Sequence, residues 1–155
     1  MEIIAHRRNK INELLDTPRR FGIEVDIRSN GQKLIISHDP FATFVDFEEW
    51  IAFYNHGTLI LNVKEEGLEN KLLNVMSEFS IKKFFFLDQS FPFLIKTAQT
   101  GEKRTAVRFS EYESLSTVLS LKGLVNWVWI DWFTRFPLNK KTYLELKSSN
   151  FKICL

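Results

Sequence analysis

The sequence predicts an α/β fold built on parallel strands, and two observations carry that prediction. Apolar, β-branched or aromatic runs recur along the chain, and most are separated by segments with helical periodicity. Strand and helix alternate about every twenty residues, which is typical of βα units that return the chain to a parallel strand. Seven runs fit this pattern, at residues 3–7, 22–27, 59–64, 84–88, 105–109, 128–133 and 151–155.

One further apolar run, residues 34–37, departs from this rhythm. It follows Asn30-Gly31, and Asn-Gly between two apolar runs is a strong signal for a tight hairpin turn. We therefore expect residues 34–37 to return antiparallel to the strand at 22–27, as an extra N-terminal hairpin.

The helices are predicted by apolar residues at i, i+3 and i+4 spacing, which gives each helix one face to pack on a sheet. These stripes begin at Ile11, Phe47, Leu68, Leu115 and Tyr143. Asp46 and Asn139 stand where N-cap residues are expected, immediately before two of the helical segments.

The length predicts a single domain over residues 1–155. A closed (β/α)8 barrel, the TIM barrel, usually needs about 200 residues or more and eight strands. We therefore expect an incomplete TIM barrel of about seven parallel strands that is short at its C-terminus. The alternative is an open sheet completed by a partner chain, and an open edge could also support self-association.

Composition argues against several functional classes. Hydrophobic content of 45% and charged content of 26% are ordinary for a globular chain. The net charge is +2 without a long basic run, so no nucleic-acid partner is expected. No apolar run approaches the roughly 20 residues that span a bilayer, and the first residues do not resemble a signal peptide. We expect a cytoplasmic protein with no membrane span.

Polar side chains interrupt or end the predicted strands. Because side chains alternate between the two faces of a strand, Glu24 and Asp26 share a face, as do Asn62 and Lys64. The carboxyl ends of parallel strands are where α/β proteins bind ligands. Two adjacent carboxylates repel each other unless a proton or a cation intervenes, and oxygen ligands suit Mg²⁺ or Ca²⁺.

Cationic and titratable groups at the same strand ends suit an anionic substrate. Arg7 and Lys64 could bind a phosphate, and His6 and His38 could act as general base and acid near neutral pH. Together they suggest metal-assisted phosphoryl transfer. Three other charged residues could belong to the same cup or form internal ion pairs: Asp88, Arg108 and Asp131.

Four short motifs resemble those of the glycerophosphodiester phosphodiesterase family, within the phosphatidylinositol-specific phospholipase C-like phosphodiesterase superfamily. The motifs are His6-Arg7, Glu24-Val25-Asp26, His38-Asp39 and Leu61-Asn62-Val63-Lys64. The resemblance covers the N-terminal half and continues beyond it only as a strand rhythm. It implies a TIM barrel that uses a divalent cation, Mg²⁺ or Ca²⁺, to hydrolyse glycerophosphodiesters to an alcohol and glycerol 3-phosphate, within lipid metabolism.

By position, the resemblance implies three roles: His6 and His38 as catalytic residues, Arg7 and Lys64 as phosphate contacts, and Glu24, Asp26 and Asn62 as metal ligands. The Pro-Glu-Asn-Thr helix start that follows His-Arg in the family is absent here, and two positions also depart from the family pattern. Arg8 stands where the family usually has Gly, and Asn62 is an amide where the family has a carboxylate. Glu65 or Glu66 could compensate for that amide. The departures indicate a divergent branch whose substrate could be another phosphodiester, such as one linked to a sugar.

Two other functions fit the same residues. The chain could be a non-catalytic barrel fragment that binds a phosphorylated ligand or a partner chain, which Asn62 favours. It could also be an aldolase-like barrel that uses Lys64 as a Schiff-base amine.

Overall fold

The structure, a computed structural model, describes all of residues 1–155 as a mixed α/β chain with two compact units. Unit 1 is Met1–Gln89 and unit 2 is Ser90–Leu155. The prediction of one domain over residues 1–155 stays a prediction.

Unit 1 contains six strands and three helices. In chain order they are β1 (Ile4–Ala5), α1 (Ile11–Leu15), β2 (Gly22–Asn30), β3 (Lys33–Ile36), β4 (Val45–Asp46), α2 (Phe47–Ile51), β5 (Leu59–Val63), α3 (Glu69–Glu78) and β6 (Phe84–Leu87). The sheet order is β4-β3-β2-β5-β6, and β1 pairs with the start of β2. Strands β1, β2, β5 and β6 are parallel, whereas β3 and β4 are antiparallel additions.

Strands β1 and β3 pair with different parts of the same edge of β2, the edge that faces away from β5. This arrangement places the residues of the candidate site. β1 pairs with Gly22 and Ile23, and β3 pairs with β2 from Ile27 onward. The stretch between them is closed by single hydrogen bonds. The backbone N–H of Arg8 donates to the carbonyl of Glu24 at 3.0 Å. The N–H of Ser37, directly after β3, donates to the carbonyl of Asp26 at 3.1 Å. The segments that leave β1 and β3 therefore meet beside the middle of β2.

Local signals fix the elements around this sheet. Gly31 adopts a left-handed φ of +61° in the hairpin turn, which confirms the predicted antiparallel return. The Asp46 side chain accepts hydrogen bonds from two backbone N–H groups of α2, at 2.9 and 3.3 Å, as an N-cap does. The apolar face of β2 (Ile23, Val25 and Ile27) is fully buried in the core of unit 1.

Unit 2 contains three helices and three parallel strands in the order β7-β8-β9. In chain order its elements are α4 (Phe91–Gln99), β7 (Ala106–Phe109), α5 (Leu115–Ser120), β8 (Trp127–Ile130), α6 (Lys140–Ser148) and β9 (Lys152–Cys154). Its core includes Val107, Val128 and Phe151, and Asn139 caps α6 through the N–H of Thr142 at 3.0 Å. Helix α4 was not predicted, since its apolar residues are consecutive and do not form a spaced stripe.

One side chain in unit 2 organises the segment after β8. The carboxylate of Glu111 accepts hydrogen bonds from the backbone N–H groups of Phe133, Thr134 and Arg135. Desolvation opposes the shift, but these N–H donors outweigh it and lower the pKa of Glu111 to about 2. The segment is therefore held by a carboxylate that stays ionised in all but strong acid.

The seven predicted parallel strands are confirmed as β1, β2, β5, β6, β7, β8 and β9, but a closed barrel is not shown. Four of them lie in the sheet of unit 1 and three in the sheet of unit 2. A closed barrel needs one continuous ladder around its circumference, and these parallel strands form two small sheets instead. None of the helices is long and apolar enough to cross a bilayer.

Candidate active site

Two buried carboxylates form the centre of the candidate site. The side chains of Glu24 and Asp26 lie on one face of β2 and are 1% and 0% exposed. Asn62 stands opposite Asp26 on the parallel neighbour β5. Its amide Nδ2 donates to Glu24 Oε1 at 2.8 Å and to Asp26 Oδ1 at 3.0 Å. The amide therefore bridges the two carboxylates.

The electrostatics of Glu24 follow from this crowding. Burial and the charge of Asp26 raise the pKa of Glu24, while hydrogen bonds from Asn62 and from the Arg7 backbone oppose the shift. The pair favours any partner that brings positive charge or a proton.

Arg7 connects the carboxylates to His38. Its backbone is in the left-handed region at φ +53°, an arrangement that costs a non-glycine residue roughly 1–2 kcal/mol. In this conformation its N–H donates to Glu24 Oε2 at 2.7 Å. Its guanidinium lies 4.0 Å from Asp26 Oδ2 through Nε and 2.7 Å from His38 Nε2 through Nη2. The side chain is half-exposed, so it can also meet a ligand.

The two histidines have different surroundings. His6 is 64% exposed, and its Nε2 lies 3.5 Å from Glu24 Oε2. His38 Nδ1 lies 2.8 Å from Asp39 Oδ1, and its Nε2 faces the guanidinium of Arg7. A neutral ring with its proton on Nδ1 satisfies both contacts, because a carboxylate can only accept and a guanidinium can only donate.

Lys64 supplies the second cation. Its Nζ lies 3.5 Å from Asp26 Oδ1 and 3.3 Å from Asp88 Oδ2.

In unit 2, Arg108 pairs with Asp131 at 3.5 Å through Nη1 and also contacts a glutamate. Asp88, Arg108 and Asp131 thus each take part in an ion pair. Their side chains are 29%, 41% and 32% exposed, so the pairs are not internal, and a substrate contact at these residues stays a prediction.

The structure brings all seven predicted site residues into one network: His6, Arg7, Glu24, Asp26, His38, Asn62 and Lys64. Their chemical roles stay predictions. Glu65 does not compensate for the amide at position 62. Its carboxylate is taken up by the hairpin, where it accepts from the N–H and hydroxyl of Ser29 at 3.0 and 2.6 Å and pairs with Arg28 at 3.5 Å.

Two residues that support the site were not identified from the sequence. Asn9 Nδ2 donates to Asp26 Oδ2 at 2.8 Å, and the N–H of Asp26 donates to Asn9 Oδ1 at 3.1 Å. The indole N–H of the buried Trp50 donates to the carbonyl of Arg8 at 2.9 Å. Both contacts fix the loop after β1. No local sequence pattern predicts these two contacts, because they depend on how that loop folds back on β2 and α2.

The oxygen atoms of the site fit a small hard cation, although no group of three or more His, Cys, Asp or Glu side chains is placed to hold a metal ion. Glu24 and Asp26 offer carboxylate oxygens. Asn62 adds an amide oxygen, Oδ1, that is buried and has no hydrogen-bond partner. This donor set suits Mg²⁺ or Ca²⁺ better than softer metals.

Comparison with known proteins bears on the fold. No family model matches the sequence, and no curated protein matches it. The structure is similar to the crystal structure of a proposed glycerophosphoryl diester phosphodiesterase from Agrobacterium tumefaciens. The TM-score is 0.75 at 10% identity, over 98% of this chain and 83% of that chain. This chain shares its fold with glycerophosphodiester phosphodiesterases. A proposed glycerophosphodiester phosphodiesterase from Galdieria sulphuraria is also similar, with a TM-score of 0.52 at 12% identity, over 98% and 92% of the two chains. The resemblance predicted from the motifs is thus confirmed at the level of the fold, over nearly the whole chain.

Proposed function

We propose that this protein is a phosphodiester hydrolase that acts on glycerophosphodiester-like or sugar-linked phosphodiesters. The observation that carries the proposal is the meeting of His6, Arg7 and His38 beside the buried Glu24–Asp26 pair. Two histidines, a half-exposed guanidinium and a carboxylate pair are the groups that phosphoryl transfer needs for proton transfer and charge stabilisation. The shared fold supports the same reaction class.

The phosphate would bind at Arg7 and Lys64. A guanidinium can hold two phosphate oxygens at once, and the Lys64 ammonium adds a second positive charge. A cavity of about 350 Å³ borders His38, and another of about 540 Å³ borders His6.

His38 would act as general base. Asp39 holds the proton on Nδ1, which leaves Nε2 as the basic nitrogen. At present Arg7 donates to that nitrogen, so phosphate binding to Arg7 would free Nε2 to accept a proton from the nucleophile. The nucleophile can be water or a neighbouring hydroxyl of the substrate, since both lose a proton to the same base.

His6 would act as general acid and protonate the leaving alkoxide. Its ring is exposed toward solvent and its Nε2 lies 3.5 Å from Glu24 Oε2, so a proton donor stands at the solvent edge of the carboxylate pair. A divalent cation held by Glu24, Asp26 and Asn62 would, when bound, offset the charge of the phosphate.

The direct test is hydrolysis of bis(p-nitrophenyl) phosphate and of a glycerophosphodiester, with Mg²⁺, Ca²⁺, Mn²⁺ or EDTA. His38→Ala should lower the rate on both substrates about 100-fold or more. His6→Ala should do so on the glycerophosphodiester but much less on bis(p-nitrophenyl) phosphate, because p-nitrophenolate leaves without needing a proton.

His56→Ala is the matched control, since the His56 ring bonds the carbonyl of Thr17 and none of the site groups. Activity that survives EDTA and both site substitutions would contradict the proposal. The proposal would also be contradicted if His56→Ala lost activity while the His6→Ala and His38→Ala variants kept it.

Ligand binding without catalysis is the second candidate, and Asn62 favours it because its amide already bridges the carboxylates. Binding of a phosphodiester without turnover under every cation condition would support this function.

Schiff-base chemistry at Lys64 would require breaking its two ion pairs, and the absence of a borohydride-trapped adduct would count against it. A cytoplasmic location and self-association through a sheet edge stay predictions.

A further inference from the structure

We propose that Asn62 is a two-position amide. Without a cation its NH₂ group closes the Glu24–Asp26 pair, and with a divalent cation the amide turns over and presents Oδ1. The inference rests on the cation part of the proposed function, and it concerns how this chain controls access to that site.

The present position of Asn62 is one of two that fit the same space. Its Nδ2 donates to Glu24 Oε1 at 2.8 Å and to Asp26 Oδ1 at 3.0 Å, so both amide protons are used. Its Oδ1, in contrast, is buried and has no hydrogen-bond partner. The amide nitrogen therefore has its hydrogen-bond partners and the amide oxygen has none. A positively charged ligand can reverse this orientation, because it would bind the oxygen.

The orientation of the Asn62 amide should depend on whether a cation is bound. The oxygen and nitrogen of an Asn amide are nearly equal in size, so a half-turn about the terminal torsion exchanges their positions. Oδ1 would then lie where Nδ2 lies now, about 3 Å from an oxygen of Glu24 and one of Asp26. Three oxygen atoms this close repel each other, and a divalent cation among them removes that repulsion and makes the second position favourable.

Asn9 provides an internal comparison, because its amide is satisfied at both ends. Its Nδ2 donates to Asp26 Oδ2, and its Oδ1 accepts from the Asp26 backbone N–H. Turning it over would set two donors against each other and two acceptors against each other. Asn9 therefore stays in place while Asn62 turns.

The consequence is that a cation must displace two hydrogen bonds before it gains an uncharged ligand. Binding is therefore weaker than it would be with a carboxylate at position 62. Asn62→Asp removes the NH₂ clamp and adds a charged ligand, so it should bind Mg²⁺ or Ca²⁺ at least about tenfold more tightly. The cation-free form of the same variant should unfold at a lower temperature than the wild type, because three carboxylates then face each other.

The primary experiment follows the side-chain amide signals of ¹⁵N-labelled wild-type protein by NMR during titration with Mg²⁺ and with Ca²⁺. The Asn62 NH₂ signals should move strongly as both hydrogen bonds are lost, and those of Asn9 should move much less. Cation affinities of the wild type and of Asn62→Asp are measured by calorimetry in parallel. The wild-type NMR result does not depend on whether the variant folds.

Saturation with a cation that leaves the Asn62 signals unchanged would overturn the inference, as would an Asn62→Asp variant that binds no more tightly. If neither protein binds a cation at millimolar concentrations, the inference fails together with the cation part of the proposed function. The hydrolase proposal is tested separately, by the effect of His38→Ala on hydrolysis in EDTA and in each cation.

Discussion

Asn9→Ala is the substitution that should expose how the site is held together. Asn9 ties the loop after β1 to β2 by donating to the carboxylate of Asp26 and accepting from its backbone N–H, at 2.8 and 3.1 Å. The Asp26 side chain is 0% exposed, so bulk water cannot replace either contact without a rearrangement.

The expected loss of stability comes from two terms. A hydrogen bond to a charged group contributes about 1.5–3 kcal/mol, and a buried N–H left without a partner costs about 1–3 kcal/mol. Water that enters the vacated space recovers part of this sum, so we expect the free energy of unfolding to fall by about 2–4 kcal/mol. Urea unfolding measures the change as a lower midpoint with an unchanged slope.

Two further variants make the measurement specific. Asn55→Ala removes an exposed loop amide and should change the free energy of unfolding by less than about 0.5 kcal/mol. Asn9→Asp keeps the acceptor for the Asp26 N–H but sets a carboxylate against that of Asp26. The two carboxylates repel each other in the folded protein, so this variant should be less stable at neutral pH than in acid, where protonation removes the repulsion. An Asn9→Ala protein as stable as Asn55→Ala would refute the reasoning.

Three other outcomes are expected. Burial and a neighbouring carboxylate raise the pKa of Glu24, so the folded protein holds that proton more tightly than the unfolded chain, and stability should fall as pH rises above about 4.5. Glu24→Gln should flatten that dependence in urea unfolding at a series of pH values, and an unchanged slope would argue against the assignment. Trp50→Phe leaves the carbonyl of Arg8 without its indole donor and should lower the free energy of unfolding by about 1–3 kcal/mol, again by urea unfolding. Glu111→Gln should speed hydrogen exchange at the amides of residues 133–135, and in the wild type the same protection should be lost as pH falls from 4.5 toward about 2; equal exchange in both proteins would contradict the role given to this carboxylate.

The strand rhythm was readable from the sequence because buried parallel strands are nearly continuous apolar runs. The hairpin was readable as well, since Asn30-Gly31 favours only a few turn geometries. The division of the parallel strands into two sheets was not, because it depends on pairing between distant segments rather than on local pattern. Helix α4 was missed for a local reason, as its consecutive apolar residues give no helical period.

The candidate site was predictable to the extent that it lies on strands. Glu24 and Asp26 share a face because side chains alternate, and the register of β5 then sets Asn62 beside them. The contacts made by loops were beyond prediction. The backbone N–H of Arg7 donates to Glu24 from a left-handed conformation, and no signal in the local sequence of Arg and Asn residues predicts that conformation.

The measurement that most directly tests the central claim is ³¹P NMR of a glycerophosphodiester incubated with the wild-type protein and each cation. We predict conversion to a phosphomonoester or to a cyclic phosphodiester. Its rate should fall about 100-fold or more in His38→Ala and stay near the wild-type value in His56→Ala. An unchanged diester signal under every cation condition, from a protein that still binds the diester, would contradict the claim that these residues form a hydrolytic site.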